Sequence, residues 1–296
     1  MKSLIISGAT GLIGCSIIKE ALKNDYSVTA IVRQNSLKIS NLFQFKNIKI
    51  IECNLDKYSS LEQNLKGDVF IHLAWDKTFG NSRDDVDIQL KNIQYTLDAV
   101  RLAKKCGCSV FIGAGSQAEY GIQSVDLTCN LAVQPESAYG IAKYCAGKLS
   151  AMLCKQLGMR FNWLRILSVY GKNDAEHALI SYAINELKAG KSPEFSKCEQ
   201  IWDYLNTEDA ARAFIAVAKN GVDGKFYPLG SGKRRKLSEY LIEIRNLINP
   251  KIELGFGKKE YYPHQPMHLV ADISELEKDT GWKPIINFSE GIKALL

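Results

Sequence analysis

The amino-terminal half of the chain alternates short apolar runs with longer segments of helical periodicity. The apolar runs have the length and β-branched content of buried strands and lie at 3–7, 27–32, 47–53, 68–74, 109–115 and 161–167. One long helix is expected from about Asp87 to Lys105, and another begins around the sequence YGIAK. Strands spaced by helices predict an α/β fold, with a doubly wound parallel sheet that binds ligands at the carboxyl ends of its strands.

The pattern loosens after about residue 170. Helices are predicted at 177–190, 207–220 and 237–249, and strands at 225–230 (KFYPLG) and 251–256 (KIELGF). No low-complexity linker and no repeat separates the two halves of the chain. We therefore expect a sheet domain at 1–170 and a smaller mixed α/β lobe at 171–296, some segments of which return to the sheet.

Composition and charge exclude several classes of protein. A hydrophobic content of 46% with 24% charged residues is ordinary for a soluble globular protein, and a net charge of +6 without a basic stripe does not indicate a nucleic-acid partner. The apolar stretch 3–18 is too short for a bilayer and is interrupted by glycines. Eight scattered cysteines and four histidines provide no zinc spacing. We expect a cytoplasmic protein with reduced thiols and no membrane or metal partner.

The first predicted strand–helix turn is rich in glycine. It contains Gly8, Gly11 and Gly14, which suit a tight turn, a close approach of backbone to a pyrophosphate, and close packing of helix on strand. The free N–H groups of the helix amino terminus would attract the phosphates. Because this loop lies between a strand and a helix, dinucleotide binding is favoured over a turn that needs glycine for its own sake.

The second predicted strand is followed by Arg33, Gln34, Asn35 and Ser36. An acidic residue at this position would accept a hydrogen bond from the adenosine ribose, whereas a guanidinium suits a 2′-phosphate. We therefore favour NADP(H) as the cofactor. NAD(H) remains the alternative, because a solvated loop arginine would give the same sequence.

Several motifs along the chain extend this interpretation. They are SGATGLIG (7–14), HLAW (72–75), KNIQYTLDAV (91–100), GSQAEYG (115–121), SAYGIAK (137–143), LRILSVYG (164–171), WDYLNTEDAARAF (202–214) and DTGWKP (279–284). Together they resemble the extended short-chain dehydrogenase/reductase superfamily, in its group of nucleotide-sugar epimerases, dehydratases and reductases. The resemblance covers nearly the whole chain and implies a Rossmann-type fold and an NAD(P)-dependent enzyme.

The resemblance implies that Ser116, Tyr139 and Lys143 are the catalytic residues. Tyr139 and Lys143 are separated by one helical turn and therefore share a helix face. A phenol can exchange the proton that accompanies hydride transfer, but its ordinary pKa of about 10 is too high for neutral pH. We expect the Lys143 ammonium to lower that pKa, and Ser116 to hold and polarise the substrate oxygen.

The resemblance also implies residues that contact the ligands. Besides Arg33, Tyr139 and Lys143, the expected cofactor contacts are Gly8, Thr10, Gly11, Leu12, Ile13, Gly14, Asn54, Leu55, Leu73, Ala74, Asn92 and Ile166. Expected substrate contacts are Trp75, Gln117, Ser168, Trp202 and Arg234, although packing suits the tryptophans equally and the KRRK run (233–236) is also typical of a solvated face. His264 and His268 are expected to be ordinary loop histidines.

The resemblance limits the reaction without fixing it. Dehydratases of this group carry an acidic pair directly after the catalytic Ser or Thr, where this chain has Gln117 and Ala118, with Glu119 one residue too late. The favoured activity is an NADPH-dependent reductase of a nucleotide-linked 4-keto-6-deoxyhexose, with hydride delivery to C4 and Tyr139 as proton donor. Alternatives are an NAD-dependent nucleotide-sugar 4-epimerase and a non-catalytic NADP-binding regulatory protein.

The resemblance further implies a homodimer formed by the helices at about 87–105 and 139–156. A monomer's core would produce the same apolar pattern on both helices. The chain departs from the group at Trp202, where an arginine that serves the nucleotide is common.

Overall fold

The computed structural model of the protein describes residues 2–61, 65–262 and 265–296 and is built around a seven-stranded parallel sheet. Its strands are β1 (Ser3–Ser7), β2 (Ser27–Val32), β3 (Ile48–Glu52), β4 (Val69–His72), β5 (Val110–Ser116), β6 (Arg160–Ile166) and β10 (Lys225–Leu229). Their order in space is β10-β6-β5-β4-β1-β2-β3, so the direction of winding reverses between β1 and β4. The predicted doubly wound α/β fold is confirmed.

Helices cover both faces of this sheet. They are α1 (Leu12–Lys23), α2 (Val86–Lys105), α3 (Ala138–Gln156), α4 (Leu179–Lys188), α5 (Thr207–Asn220), α6 (Leu237–Ile248), α7 (Ser274–Thr280) and α8 (Phe288–Lys293). Successive side chains of a strand point to opposite faces, so Leu4 and Ile6 pack with α1 and α5 while Ile5 packs with α2 and α3. None of the helices in the described ranges is long and apolar enough to cross a bilayer.

A smaller lobe follows residue 170. Its core joins α4, α6 and α8 through buried aromatic and aliphatic side chains, among them Tyr240 and Phe288. Short strands form two further small sheets: β7 (Ser168–Tyr170) pairs with β9 (Tyr204–Asn206), and β8 (Ile201–Trp202) pairs with β11 (Arg235–Lys236) and β12 (His268–Leu269). Segment 207–229 lies on the sheet side of the molecule, because α5 packs on α1 and β10 pairs with β6.

The prediction of a strand at 251–256 is wrong. This segment makes a single backbone bridge, in which Gly255 donates to the Pro193 carbonyl and accepts from the Phe195 N–H. Two residues after this bridge, Gly257 has a φ of 75°, a left-handed conformation that ends the extended backbone. The apolar side chains that predicted a strand pack in the lobe core instead, among them Leu254.

The fully buried Trp163 of β6 determines how α3 packs on the centre of the sheet. A Cβ atom added at Gly113 of β5 would lie 2.0 Å from Cζ3 of the indole, and one at Gly115 would lie 2.2 Å from Nε1. From the helix side, a Cβ at Gly147 would lie 3.0 Å from Cε2. The indole therefore fills the space that three glycines leave between two strands and α3.

We expect Gly113→Ala to destabilise the fold by about 1–3 kcal/mol or more, because the new methyl group overlaps the six-membered ring of Trp163. Chemical denaturation of the purified variant measures the change. The same substitution in a Trp163→Phe background should cost much less, because the smaller ring vacates that space. Equal costs in the two backgrounds would show that the indole is not the constraint.

Candidate active site

Two adjoining cavities lie at the carboxyl edge of the sheet, where the winding reverses between β1 and β4. The first, here called the Arg33 cavity, has a volume of about 600 Å³. The second, the Tyr139 cavity, has a volume of about 400 Å³. Gly8 and Trp75 line both cavities, so the turns after β1 and β4 form their common wall.

The glycine turn after β1 brings backbone close to both cavities. Gly8 has a φ of 71°, and a Cβ there would lie 2.8 Å from the Ala74 nitrogen. A Cβ at Gly14 would lie 2.4 Å from the Gly8 carbonyl oxygen, so α1 packs against the turn only with glycine at this position. Gly11 caps α1 without a side-chain acceptor, which leaves N–H groups of the first turn available to an anion.

The turns after β2 and β3 form the wall of the Arg33 cavity. Arg33 and Lys38 provide basic side chains on this wall, and four of the expected cofactor contacts, Thr10, Asn54, Leu55 and Ala74, also line the cavity. The Asn54 side chain accepts from the Gln34 N–H and donates to the Gln34 side-chain oxygen, both at 3.1 Å, so it ties the two turns together. Sequence reasoning missed Lys38, although its position in the same basic loop was a usable signal.

The three predicted catalytic residues meet in the Tyr139 cavity, together with Leu12, Ile13, Leu73 and Ile166. Ser116 is the last residue of β5, where the parallel strand ends at the ligand edge. The Ser137 hydroxyl caps α3 by accepting from the Gly140 N–H at 3.1 Å, which places Tyr139 in the first turn of the helix. Lys143 follows one turn later on the same face, so all three residues line one cavity.

The Lys143 ammonium is buried and faces the sheet. It donates a 2.7 Å hydrogen bond to the Ala114 carbonyl and lies 3.7 Å from the centre of the Trp75 ring system. Burial lowers the pKa of Lys143 to about 7, and the negative charge of Glu119 opposes this shift. The lysine is therefore held against β5 and the Trp75 ring.

A second basic side chain, Arg83, also lies beside the Tyr139 phenol. Burial raises the pKa of Tyr139, while a hydrogen bond with Ser116 and the positive charge of Arg83 lower it. The guanidinium carbon of Arg83 lies 4.5 Å from the centre of the Tyr139 ring, whereas the Lys143 nitrogen lies 5.9 Å from it. Sequence reasoning missed Arg83 because no local motif links its loop to the start of α3.

Glu119 lies at the centre of a fully buried hydrogen-bond network behind Ser116. One carboxylate oxygen accepts from the Ser116 N–H at 2.9 Å and from the indole N–H of Trp163 at 2.8 Å. The other oxygen accepts from Arg165 Nε at 2.8 Å. Both carboxylate oxygens therefore bond to residues of β5 and β6, and the Glu119 side chain holds the Ser116 backbone in place from inside the sheet.

A third cavity, the Trp202 cavity, has a volume of about 550 Å³ and lies in the smaller lobe. Its walls include Tyr182, Phe195, Trp202, Tyr204, Tyr261 and Tyr262, with Ser168, Gln200 and Lys259 as polar members. Two predicted substrate residues meet here, because the indole N–H of Trp202 donates to the Ser168 hydroxyl at 2.8 Å. The buried Gln200 amide oxygen has no hydrogen-bond partner among the described residues. The adjacent tyrosines Tyr261 and Tyr262 could have indicated this aromatic wall from the sequence, but they were not among the predicted substrate contacts.

Three predicted ligand contacts lie elsewhere. The Asn92 amide bonds to the backbone N–H and carbonyl of Asp76, both at 2.9 Å, so it anchors the loop after β4. The exposed Arg234 guanidinium pairs with Asp126 at 2.6 Å, and Gln117 begins a short 3-10 turn. The described residues that line the three cavities do not include Asn92, Gln117 or Arg234. Long side chains and turn residues are directed by tertiary neighbours, which a linear motif does not contain.

The histidines of the smaller lobe make no metal site among the described residues, where no group of three His, Cys, Asp or Glu side chains could hold an ion. His268 hydrogen-bonds to Asp126 at 2.7 Å, and His264 lies outside the described residues.

Comparison with known proteins places this geometry in context. The model of the NAD dependent epimerase/dehydratase family matches residues 4–230. The CDP-abequose synthase of Salmonella typhimurium is 27% identical over 99% of this chain and 97% of its own length. The dTDP-4-dehydro-6-deoxyglucose reductase of Escherichia coli is 23% identical over 100% of this chain and 96% of its own length. The structure of a UDP-glucose 4-epimerase from Thermotoga maritima with UDP-glucose superimposes with a TM-score of 0.88 at 20% identity, covering 99% of this chain and 96% of that one.

We expect Glu119→Ala to lower the free energy of unfolding by about 3–5 kcal/mol, because it leaves the buried Arg165 cation without its partner. Glu119→Gln should cost less, since an amide oxygen can still accept hydrogen bonds from inside the network. Denaturant titration gives both values.

The matched control is Glu208→Ala, which breaks an exposed pair with Lys19 and should change stability by about 0–1 kcal/mol. Similar losses for Glu119→Ala and Glu208→Ala would contradict the central role of the buried carboxylate.

Proposed function

Because the chain belongs to the NAD dependent epimerase/dehydratase family and is an NAD(P)-dependent enzyme of the extended short-chain dehydrogenase type, we propose a specific reductase activity. The proposed reaction reduces the C4 ketone of a nucleotide-linked 4-keto-6-deoxyhexose with NADPH. The observation that carries the proposal is the convergence of Ser116, Tyr139 and Lys143 on one cavity that adjoins the glycine turn.

The glycine turn fits a dinucleotide on a structural test. The Cβ atoms that Gly8 and Gly14 lack would overlap neighbouring backbone, and the start of α1 offers unbonded N–H groups. This is the cradle that a pyrophosphate requires at a helix amino terminus. In the proposed complex, Gly11, Leu12 and Ile13 hold the pyrophosphate, and the bound NADPH supplies a hydride to the substrate carbon.

We propose that side chains of the Tyr139 cavity bind and then protonate the oxygen of the same ketone. Ser116 donates a hydrogen bond to the carbonyl oxygen and so stabilises the negative charge that develops on it. Tyr139 then donates its phenolic proton to that oxygen, which completes the alcohol. The buried Glu119 network keeps the Ser116 backbone fixed while charge develops on the substrate oxygen beside the serine side chain.

The charge of the Arg33 cavity supports NADPH rather than NADH. Arg33 and Lys38 line the wall next to Gln34, at the end of β2 where the adenosine ribose lies in folds of this type. A 2′-phosphate would receive charge-assisted hydrogen bonds from these two side chains. The carboxylates of Asp56 and Asp76 also line this cavity, and that of Asp56 lies 3.3 Å from the Lys57 ammonium.

The Trp202 cavity supports a nucleotide-linked substrate. Its aromatic walls can stack on a planar base, and the unpartnered Gln200 oxygen can accept from an N–H group on that base. Lys259 provides a cation for the diphosphate in place of the arginine that Trp202 replaces. The two relatives described above are named for CDP-linked and dTDP-linked sugars, which supports the same substrate class.

We also propose that the enzyme is a homodimer that pairs through α2 and α3. These two helices pack side by side. Their outer surface exposes apolar side chains, among them Leu90, Ile141 and Met152, more than half of whose surface is accessible. A second copy would cover this surface.

Fluorescence titration with NADPH and NADH, followed by absorbance at the nicotinamide band as 4-keto-6-deoxy nucleotide sugars are added, tests the reaction. We expect preferential NADPH binding and substrate-dependent loss of absorbance, slowed about 10²- to 10⁴-fold in Tyr139→Phe because the proton donor is gone. Tightly retained NAD, with UDP-sugars interconverting and no net oxidation, would instead establish the 4-epimerase. Cofactor binding without turnover of either substrate class would favour a regulatory protein.

A second prediction concerns Arg33. Arg33→Met should weaken NADPH binding by roughly 10- to 100-fold, the loss expected for charge-assisted hydrogen bonds, and should leave NADH binding nearly unchanged. Isothermal titration of both cofactors measures the ratio, and the exposed Lys46→Met serves as a control for the loss of one positive charge. An equal loss for NADPH and NADH would remove the argument for a 2′-phosphate site.

A further inference from the structure

We propose that Trp75 is a positioning residue for Lys143, because the face of its indole binds the lysine ammonium and stabilises its charged form beside Tyr139. Trp75 therefore acts on the reaction through the lysine. The inference rests on the proposed function, in which Lys143 belongs to the catalytic residues.

The contact between Trp75 and Lys143 has the geometry of a cation–π pair. The lysine Nζ lies 3.7 Å from the centre of the indole ring system, well within the distance of about 6 Å at which an aromatic face attracts a cation. Tryptophan is the strongest aromatic partner for such a cation. The same nitrogen donates a 2.7 Å hydrogen bond to the Ala114 carbonyl. Both partners favour the ammonium over the neutral amine, because both interact with its positive charge.

Buried amide side chains of α2 hold the indole in this orientation. The indole N–H donates to the Gln89 side-chain oxygen at 2.9 Å. The Gln89 amide nitrogen in turn donates to two carbonyl oxygens of the loop after β4, both at 3.0 Å. The Asn92 amide bonds to the backbone of the next residue in that loop, Asp76. The position of the ring is therefore set by α2 and the loop, and the ring does not depend on the ammonium to stay in place.

The same indole also contacts the tyrosine. The rings of Trp75 and Tyr139 have centres 6.0 Å apart and an angle of 81° between their planes, an edge-to-face arrangement. Trp75 lines both the Arg33 cavity and the Tyr139 cavity, so it forms part of the wall between them. A side chain that only filled this space would need the volume of the indole but not the electron density of its face. That difference separates the proposed role from packing.

The other charged and titratable groups around Lys143 come from three elements. Burial lowers the pKa of Lys143, and the negative charge of Glu119, in the turn after β5, opposes this effect. His72, at the end of β4, is neutral near pH 7, because burial and the positive charge of Lys143 lower its pKa to about 3. The ring centre of Tyr139 lies 5.9 Å from the lysine Nζ, and Arg83 lies over that same ring. The indole is closer to the ammonium than the phenol ring is, so a change in its electron density should alter the titration of the lysine.

The direct test is an NMR titration of lysine labelled with 13C at Cε, in the protein with and without saturating NADP⁺. The resonance missing from Lys143→Met identifies the lysine of interest. In Trp75→Leu the titration midpoint should fall by about one pH unit, a tenfold decrease in the ratio of charged to neutral Lys143 at fixed pH, because the aromatic face is gone. The midpoint of Trp75→Phe should lie between the two, since a phenyl ring binds a cation less strongly than an indole does.

A second variant replaces Trp75 with a tryptophan fluorinated on its benzene ring, introduced at this one position. Fluorine withdraws electron density from the ring face and changes the size of the side chain little, so the cation–π attraction is weakened while the packing is kept. The midpoint of Lys143 should again fall. An unchanged midpoint in the fluorinated protein, shown to be folded by circular dichroism, would overturn the proposal whatever the result for Trp75→Leu.

The matched control is Tyr144→Leu, which removes an aromatic ring from beside another lysine of α3. The centre of that ring lies 5.8 Å from the Lys148 nitrogen. The Lys143 midpoint in this variant should match that of the unmodified protein. A fall as large as that in Trp75→Leu would show that any loss of an aromatic side chain near the helix has the same effect, and this result would also contradict the proposal.

The titration with NADP⁺ decides whether the contact is present in the cofactor complex. A lower midpoint in Trp75→Leu that persists with NADP⁺ supports a role in the reaction, whereas a difference seen only without NADP⁺ would exclude that role. The proposed function is tested separately. If the unmodified protein reduces no 4-keto-6-deoxy nucleotide sugar, the proposed function is refuted, while the NMR comparison still decides whether Trp75 controls the charge of Lys143, because it needs no ketone substrate.

Discussion

The active site depends on one buried carboxylate. Glu119 is enclosed between β5 and β6, where an unpaired charge would be strongly destabilising. It is tolerated because Ser116, Trp163 and Arg165 supply three donors, and each donor belongs to a different part of the site. The serine backbone is thereby fixed at the end of its strand. The Trp163 indole, held in the same network, fills the space between the sheet and α3. It therefore determines how far from the sheet the helix that carries Tyr139 lies.

This dependence explains which features the sequence could predict. Strands such as β1 and β6 are recognisable because a parallel sheet buries both faces and requires continuous apolar runs. Ser116, Tyr139 and Lys143 were recognisable because each occupies a fixed place in a local motif. The role of Glu119 was hidden, since two of its three donors come from a strand far along the chain. Arg83 was hidden for the same reason, and Arg234 was misplaced because a charge run does not reveal its partner, Asp126.

Two basic side chains reach the phenol from different elements. Lys143 follows Tyr139 on α3, donates to the Ala114 carbonyl and lies over the Trp75 ring. Arg83 comes from the loop before α2 and lies over the Tyr139 ring, with its guanidinium carbon 4.5 Å from the ring centre. The surroundings of the tyrosine are therefore built from its own helix and from a loop that is distant in the sequence.

The return of β10 to the sheet has a consequence for how the chain folds. β6 has β5 on one side and β10 on the other, so until residue 229 has been synthesised β6 is an open edge with unpaired backbone groups. The face of α1 that α5 covers stays exposed for the same period. During synthesis, the edge of the sheet therefore stays unpaired and prone to aggregation until part of the smaller lobe has been made. The two halves of this chain therefore fold as one unit. The boundary between them is not a suitable point at which to divide the chain or to exchange one half for another.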